Sequence, residues 1–340
     1  NSVAVDAGNN ENANVTEYDL NGKQRINGTT IDMGAFEQYC VKYRHISKNL
    51  AQGGSVSFYG SVITDPGQYQ KRWALDATCD SLVVMDVRVS SSVIYVTATG
   101  AGSKDGSSWD NAMDNINDAV MAAFSQSGVD SRQVWVAAGT YSGYNSSTRF
   151  PMVSGVEVYG GFAGTETALE QRDLSANQTI LDGKNKKRVL YQANDFTQNT
   201  TSVIDGFVIQ NGYTTDRGAG VSLRDFTILR NCIIRNNTST TYTSAIYAIG
   251  YVSVINCLIT DNKSSGSNGY AVYLTDSTLF INNTVVNNIN SSSFSSAGIY
   301  VSGSEVRIYN SILWGNTSDE INVNNNNNFD IRNTAVEGGY

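Results

Sequence analysis

Residues 231–237 read NCIIRNN, and the same seven-position phrase returns along the C-terminal half of the chain. The copies are 205–211 (DGFVIQN), 256–262 (NCLITDN), 282–288 (NNTVVNN), 310–316 (NSILWGN) and a weaker 333–339 (NTAVEGG). Successive starts therefore lie 26, 25, 26, 28 and 23 residues apart. So short a period, carried by strand-forming rather than helical residues, predicts a solenoid in which each coil stacks on the one before.

Aligned in columns, the fourth position is Val208, Ile234, Ile259, Val285, Leu313 and Val336, apolar in every copy and so expected to face inward. Strand alternation turns the second position inward as well, and it holds the small residues Gly206, Cys232, Cys257, Asn283, Ser311 and Thr334. Cys232 and Cys257 become neighbours one strand spacing apart, about 4.8 Å. That separation permits a disulfide, although two buried thiols are the simpler reading. The first column is Asp205, Asn231, Asn256, Asn282, Asn310 and Asn333; the last is Asn211, Asn237, Asn262, Asn288 and Asn316, then Gly339. Both columns are expected at turns, because Asn tolerates the left-handed backbone and identical stacked amides hydrogen-bond up a column. Calcium or sugar held by these side chains is the functional alternative. The ladder explains them without a ligand, so neither a metal nor a cofactor is expected.

A second strand per coil runs through 219–223, 244–248, 270–274 and 297–301. With Val221, Ile246, Val272 and Ile299 inward, Tyr247, Tyr273 and Tyr300 point out as an aromatic ladder. They are the candidate ligand-binding residues, since Tyr offers a large rigid surface with a polar handle. A third strand follows at 226–229, 252–255, 278–281 and 305–308. The expected fold is all-β: a right-handed parallel β-helix of three strands per coil. Ala112, Ile116, Ala119, Val120 and Ala123 share one face of a helix placed to cap its first coil, which would otherwise expose unpaired backbone.

The division expected is a closing segment of a preceding β-helix unit at 1–38, a small antiparallel module at 39–91, and the β-helix at 92–340 with coils near 205, 231, 256, 282, 310 and 333. In the middle module, alternating runs at 55–59, 68–73 and 82–89 are separated by turn signals such as Asp65-Pro66-Gly67. The 340 residues carry a net charge of −8, which argues against nucleic acid as a partner. Lys184, Lys186, Lys187 and Arg188 form the tightest basic group and read as a solvated loop. No apolar run is long enough to span a bilayer, so no transmembrane segment is expected. Four cysteines permit two bridges, Cys40 with Cys79 and Cys232 with Cys257, an even pairing that fits an oxidising, extracytoplasmic setting.

Several stretches resemble bacterial surface proteins. Ala4-Val5-Asp6-Ala7-Gly8, Asp19-Leu20-Asn21-Gly22 with Arg25, and Ile31-Asp32-Met33-Gly34-Ala35-Phe36-Glu37 resemble the closing segment of choice-of-anchor β-helix units. The pattern Gly54, Val56, Phe58, Gly60, Ile63, Gly67, Tyr69 and Cys79 resembles short repeat modules of large secreted proteins of Gram-negative bacteria. Within it, Asp80-Ser81-Leu82 resembles an O-glycosylation site. Gly160-Gly161-Phe162-Ala163-Gly164-Thr165-Glu166, with Arg172-Asp173, Asn177, Thr179, Leu181, Asp182 and Gly183, resembles the opening coils of right-handed parallel β-helix proteins of the pectin-lyase-like class. The phrases GAGV, SAI, YAV and AGI resemble the repeats of polymorphic outer membrane proteins.

These resemblances imply an extracellular, cell-surface location and a role in adhesion or surface architecture, with carbohydrate or protein as the partner. A carbohydrate-active enzyme, either a polysaccharide lyase or a glycoside hydrolase, is the alternative the same class suggests, and a passive rigid spacer is another. Catalysis has few candidates. The sole histidine is His45, outside the repeats, and Asp216, Arg217, Arg224 and Asp225 are the nearest approach to an acid–base cluster. Because 1–38 resembles the end of a unit and 336–340 the middle of the next, head-to-tail self-association between copies is a further expectation.

Overall fold

The computed structural model describes residues 41–50, 55–64, 67–74, 80–89, 91–126, 131–142, 149–192, 200–266, 269–292, 298–317, 319–324 and 329–339. The expected closing segment at 1–38 and the expected Cys40–Cys79 bridge lie outside them, as does the side chain of His45.

From Ser91 onward the chain is a parallel β-solenoid of about seven turns. Sheet I has nine strands, from Ser91–Val96 to Phe329–Arg332; sheet II has eight, from Gly139–Tyr141 to Ala335–Val336; sheet III has seven, from Phe150–Met152 to Ile321–Val323. From Ser131 onward each coil visits the three sheets in the same order, and every pairing between coils is parallel. A fourth, two-residue strand, unmarked by apolar alternation, joins Tyr213–Thr214, Thr238–Ser239, Lys263–Ser264 and Ile289–Asn290 into a short sheet IV. The helix Ile116–Ser125 closes the first coil, burying Ile116, Ala119, Val120 and Ala123. Asn115 caps it by accepting from the N–H groups of Asn117 and Asp118.

Ahead of the solenoid, Gly67–Ala74 pairs antiparallel with Asp80–Val89, and Val56–Phe58 forms a hairpin with Ser61–Ile63. The antiparallel expectation omits one strand: Val41–Leu50 lies parallel to Asp80–Val89 on its other edge. Consecutive buried residues Val83, Val84 and Met85 show that this central strand is covered on both faces, and its backbone is paired on both edges.

Ile234, Ile259, Val285 and Leu313 are fully buried, as are Cys232, Cys257, Asn283 and Ser311 two positions before them. The two cysteines are free thiols, each turned toward a main-chain carbonyl. The first copy is displaced by one residue from its expected alignment. Ile209, not Val208, pairs with Ile234 and enters the core, and Phe207, not Gly206, precedes it inward. Gly212 replaces the ladder asparagine, because a Cβ there would stand 2.1 Å from the Ala219 carbonyl oxygen.

The two asparagine columns differ in role, although both were expected at left-handed turns. The first does turn: Asn231, Asn256, Asn282 and Asn310 have φ of 53°, 53°, 57° and 50°. At the other corner the left-handed residues are Asn236, Asp261, Asn287 and Gly315, one position earlier than expected. Asn237, Asn262, Asn288 and Asn316 instead face inward and are buried. Asn237 Nδ2 donates to Asn262 Oδ1 (2.9 Å), Asn262 Nδ2 to Asn288 Oδ1 (2.9 Å) and Asn288 Nδ2 to Asn316 Oδ1 (2.8 Å). Each Oδ1 also accepts the main-chain N–H of the coil below, and each Nδ2 reaches a carbonyl such as Ile234 O (2.9 Å). The Glu320 carboxylate ends the ladder by accepting from both Asn316 nitrogens. The first column bonds sideways only in part: Asn256 Nδ2 donates to Asn231 Oδ1 (2.7 Å) and Asn231 Nδ2 to Asp205 Oδ1 (2.9 Å). The fully buried Asn282 side chain has no partner among the described residues.

Asp205 begins that column fully buried. Burial alone would push its carboxyl up, but the guanidiniums of Arg172 and Arg230, each 2.8 Å away, outweigh it and hold its pKa at about 2. A carboxyl depressed in the folded state stabilises above its unfolded pKa and loses that contribution as pH falls through the folded value. The window here runs from about pH 4 down to about 2, and the contribution is on the order of 2 kcal/mol. Acid titration followed by circular dichroism should show this loss. Asp205→Ala, which strands two guanidiniums, should lower stability by roughly 3–5 kcal/mol at pH 7 and flatten that acid limb. Asn262→Ala, which breaks the ladder at its middle, should cost roughly 2–4 kcal/mol in chemical denaturation, whereas exposed Asn236→Ala should cost less than half of that.

Candidate functional site

The expected tyrosine ladder forms on the outer face of sheet III. Ring centroids of Tyr247 and Tyr273, and of Tyr273 and Tyr300, are each 5.1 Å apart, tilted by 58° and 46°. Tyr270 stacks on Tyr300 at 4.6 Å. The spacing follows from the register, since Tyr247, Tyr273 and Tyr300 are successive partners across three coils. All three rings are partly exposed.

What the sequence does not reveal is the arginine band at one end of this ladder. The Arg217 guanidinium lies 4.9, 5.2 and 5.7 Å from the ring centroids of Tyr242, Tyr247 and Tyr273, and its Nη1 donates to Tyr247 Oη (3.3 Å). Two coils earlier in the same face, Arg149 and Arg188 both sit on Tyr191, at 4.9 and 5.1 Å from its centroid. Arg188 joins the two groups: its Nε donates to Gly218 O (2.9 Å) and its Nη2 to Arg217 O and to Asp216 Oδ2 (3.2 Å). Burial, and then the neighbouring Arg149 charge, lower the Arg188 pKa, and Asp216 opposes them. The basic group is therefore only partly a solvated loop. Lys184 and Lys186 are exposed, whereas Lys187 and Arg188 are buried. Among the described residues neither Arg149 nor Arg217 has a carboxylate partner, so three guanidiniums face one carboxylate, Asp216.

The suspected acid–base cluster does not assemble. Asp216 and Arg217 precede the sheet III strand Val221–Leu223, and Arg224 and Asp225 follow it. Asp216 pairs with Arg188, and Arg217 packs on tyrosines. At the far end, the Arg224 N–H donates to Gln192 Oε1 (2.8 Å), and Asp225 accepts from the Tyr251 N–H (3.0 Å). Among the described residues, no three His, Cys, Asp or Glu side chains converge to hold a metal ion. No described helix is long and apolar enough to cross a membrane.

The glycine-rich stretch 160–166 is structural. It packs Phe162 against Trp135 (4.7 Å between centroids) outside sheet I, while the Glu166 carboxylate accepts from the N–H groups of Ala163, Gly164 and Thr165. Comparison with family models, curated proteins and solved structures finds no match to this chain.

If the ladder stabilises the coils by ring contact, Tyr273→Ala, which breaks two ring pairs, should lower stability by about 1–3 kcal/mol. Tyr273→Phe should stay within about 0.5 kcal/mol of the parent in the same denaturation experiment.

Proposed function

We propose that this protein is a non-catalytic scaffold of the bacterial cell surface that binds acidic glycans along the outer face of sheet III. The carrying observation is the contact between the tyrosines and three guanidiniums, Arg149, Arg188 and Arg217, on one face of a chain whose net charge is −8. Carboxylate or sulfate groups of a glycan pair with the guanidiniums of Arg149 and Arg217, the latter braced from beneath by the buried Arg188, while tyrosine hydroxyls meet the glycan's ring oxygens. Rungs repeating at one strand spacing, about 4.8 Å, suit an extended chain of similar units. The surface location is drawn from the resemblances at 1–38 and 160–183. A non-catalytic role is supported by Asp216, Arg217, Arg224 and Asp225 lying at opposite ends of one strand.

A passive spacer is the second reading, favoured by one observation: the ladder rings are already packed on one another, which leaves less of each face free. Binding of the intact chain to polygalacturonate and to sulfated glycosaminoglycan, with reducing-sugar and unsaturated-product assays in parallel, separates the readings. Saturable binding without product is expected, made about tenfold weaker by Arg149→Gln or Arg217→Ala. Product release would make the protein an enzyme, absence of saturable binding would leave it a spacer, and binding indifferent to both variants would overturn the sheet III site.

A further inference from the structure

Sheet III passes into sheet I through a corner in every coil. The registers of sheet I place Thr201, Phe226, Tyr251, Ser277 and Glu305 at one equivalent position of that corner. Phe226 is 43% and Tyr251 62% exposed, and their rings stack at 13° with centroids 5.7 Å apart. Burial therefore does not account for the pair. Nor does the backbone, because Phe226 holds φ of +58°, a left-handed conformation that bulky side chains disfavour and that Gly or Asn adopts with less strain. Ser277 and Glu305 share the left-handed backbone of this corner, so the turn recurs whatever the side chain, and the stacked exposed rings are a surface available to a ligand.

The polar groups around the rings are also held in place. Asp225 Oδ1 accepts from the Tyr251 N–H (3.0 Å), and a Cβ on Gly250 would stand 1.8 Å from that oxygen, so glycine there makes room for the carboxylate. Asp225 is exposed, and its other oxygen has no protein partner among the described residues. One coil beyond Tyr251, Ser277 Oγ donates to Glu305 Oε2 (3.0 Å), fixing a second exposed carboxylate. Along the column the aromatic stack is flanked by Thr201 and Ser277, whose side chains are too small to cover a ring face.

The geometry points to a second carbohydrate site, at which one unit of a neutral hexopyranose chain stacks its C–H face on Tyr251, backed by Phe226, and donates hydroxyls to Asp225, while a further unit along the column reaches Glu305, three rungs or about 14 Å from Asp225. Charge selects this ligand. Two carboxylates accept from sugar hydroxyls, whereas a uronate or sulfated sugar would be repelled by them and by the exposed Asp276. An aliphatic protein surface would have to desolvate both carboxylates without pairing them. The site differs from the sheet III face in position and in ligand charge, so either stands or falls without the other.

Titration of the full chain with neutral gluco-, galacto- and manno-oligosaccharides, followed by saturation-transfer difference NMR, tests it. Saturable binding by at least one series is expected. Tyr251→Ala should weaken it about tenfold, Tyr251→Phe should retain it, and Arg217→Ala should leave it unchanged. Phe226→Asn should weaken binding while raising the melting temperature, because it relieves the left-handed strain. Absence of saturable binding by all three series, or binding that survives Tyr251→Ala, would overturn the proposal. A fall in melting temperature with Phe226→Asn would overturn it as well, by returning the aromatic pair to a structural role.

Discussion

The architecture rests on one repeated hydrogen bond, from the side-chain amide of one inward asparagine to the amide oxygen of the next. A solenoid must turn its chain several times per coil, and each turn brings main-chain N–H and C=O groups inside without a strand partner. Asn237, Asn262, Asn288 and Asn316 satisfy those groups from within the core, each serving the coil on either side. A buried amide left unpaired would destabilise the coil, so each asparagine depends on its neighbour for its place. The ladder thus locks register as well as geometry, and it ends where Glu320 supplies a terminal acceptor. The Asp205 network does similar work at a different corner, the one between sheets I and II, with ionic rather than neutral partners.

With the interior committed in this way, variation is confined to outward positions and to the remaining corner. There the chain departs from scaffold economy. Arginines collect on the tyrosines of sheet III, and aromatic residues stand exposed at the corner that follows. Neither feature is needed to stack coils. The two features lie at the two ends of the same short strands, and the exposed Trp314 on sheet II is a further aromatic residue outside the core. On sheet I the outer aromatic residues around Trp135 and Phe162 are buried instead.

Much of the fold was legible because a solenoid writes its period into the chain. The columns through Ile234 and Cys232 marked the core, and Tyr247, Tyr273 and Tyr300 fell outward as alternation requires. The first coil misled because Phe207, Val208 and Ile209 are all apolar, so alternation within it fits two registers. Only the pairing of Ile209 with Ile234 decides between them. Residue type alone places the last asparagine column at turns, but Asn at a corner serves equally as a left-handed residue or as an inward donor, and the two differ by one position. The strand Val41–Leu50 is not legible in the sequence because it lacks clear alternation, and its pairing with Asp80–Val89 fixes it.

The repeat, the parallel stacking, the capping helix and the alternation of the second, third and fourth coils are legible in the amino-acid sequence, since each is a periodic property of neighbours along the chain. The clustering of arginines on tyrosines emerges only when the coils are stacked. Arg149, Arg188 and Arg217 come from separate coils, and Asp225 meets Tyr251 across 26 residues, so no local pattern records them. Stacking brings such residues within bonding distance because coils far apart in sequence lie one strand spacing apart in space.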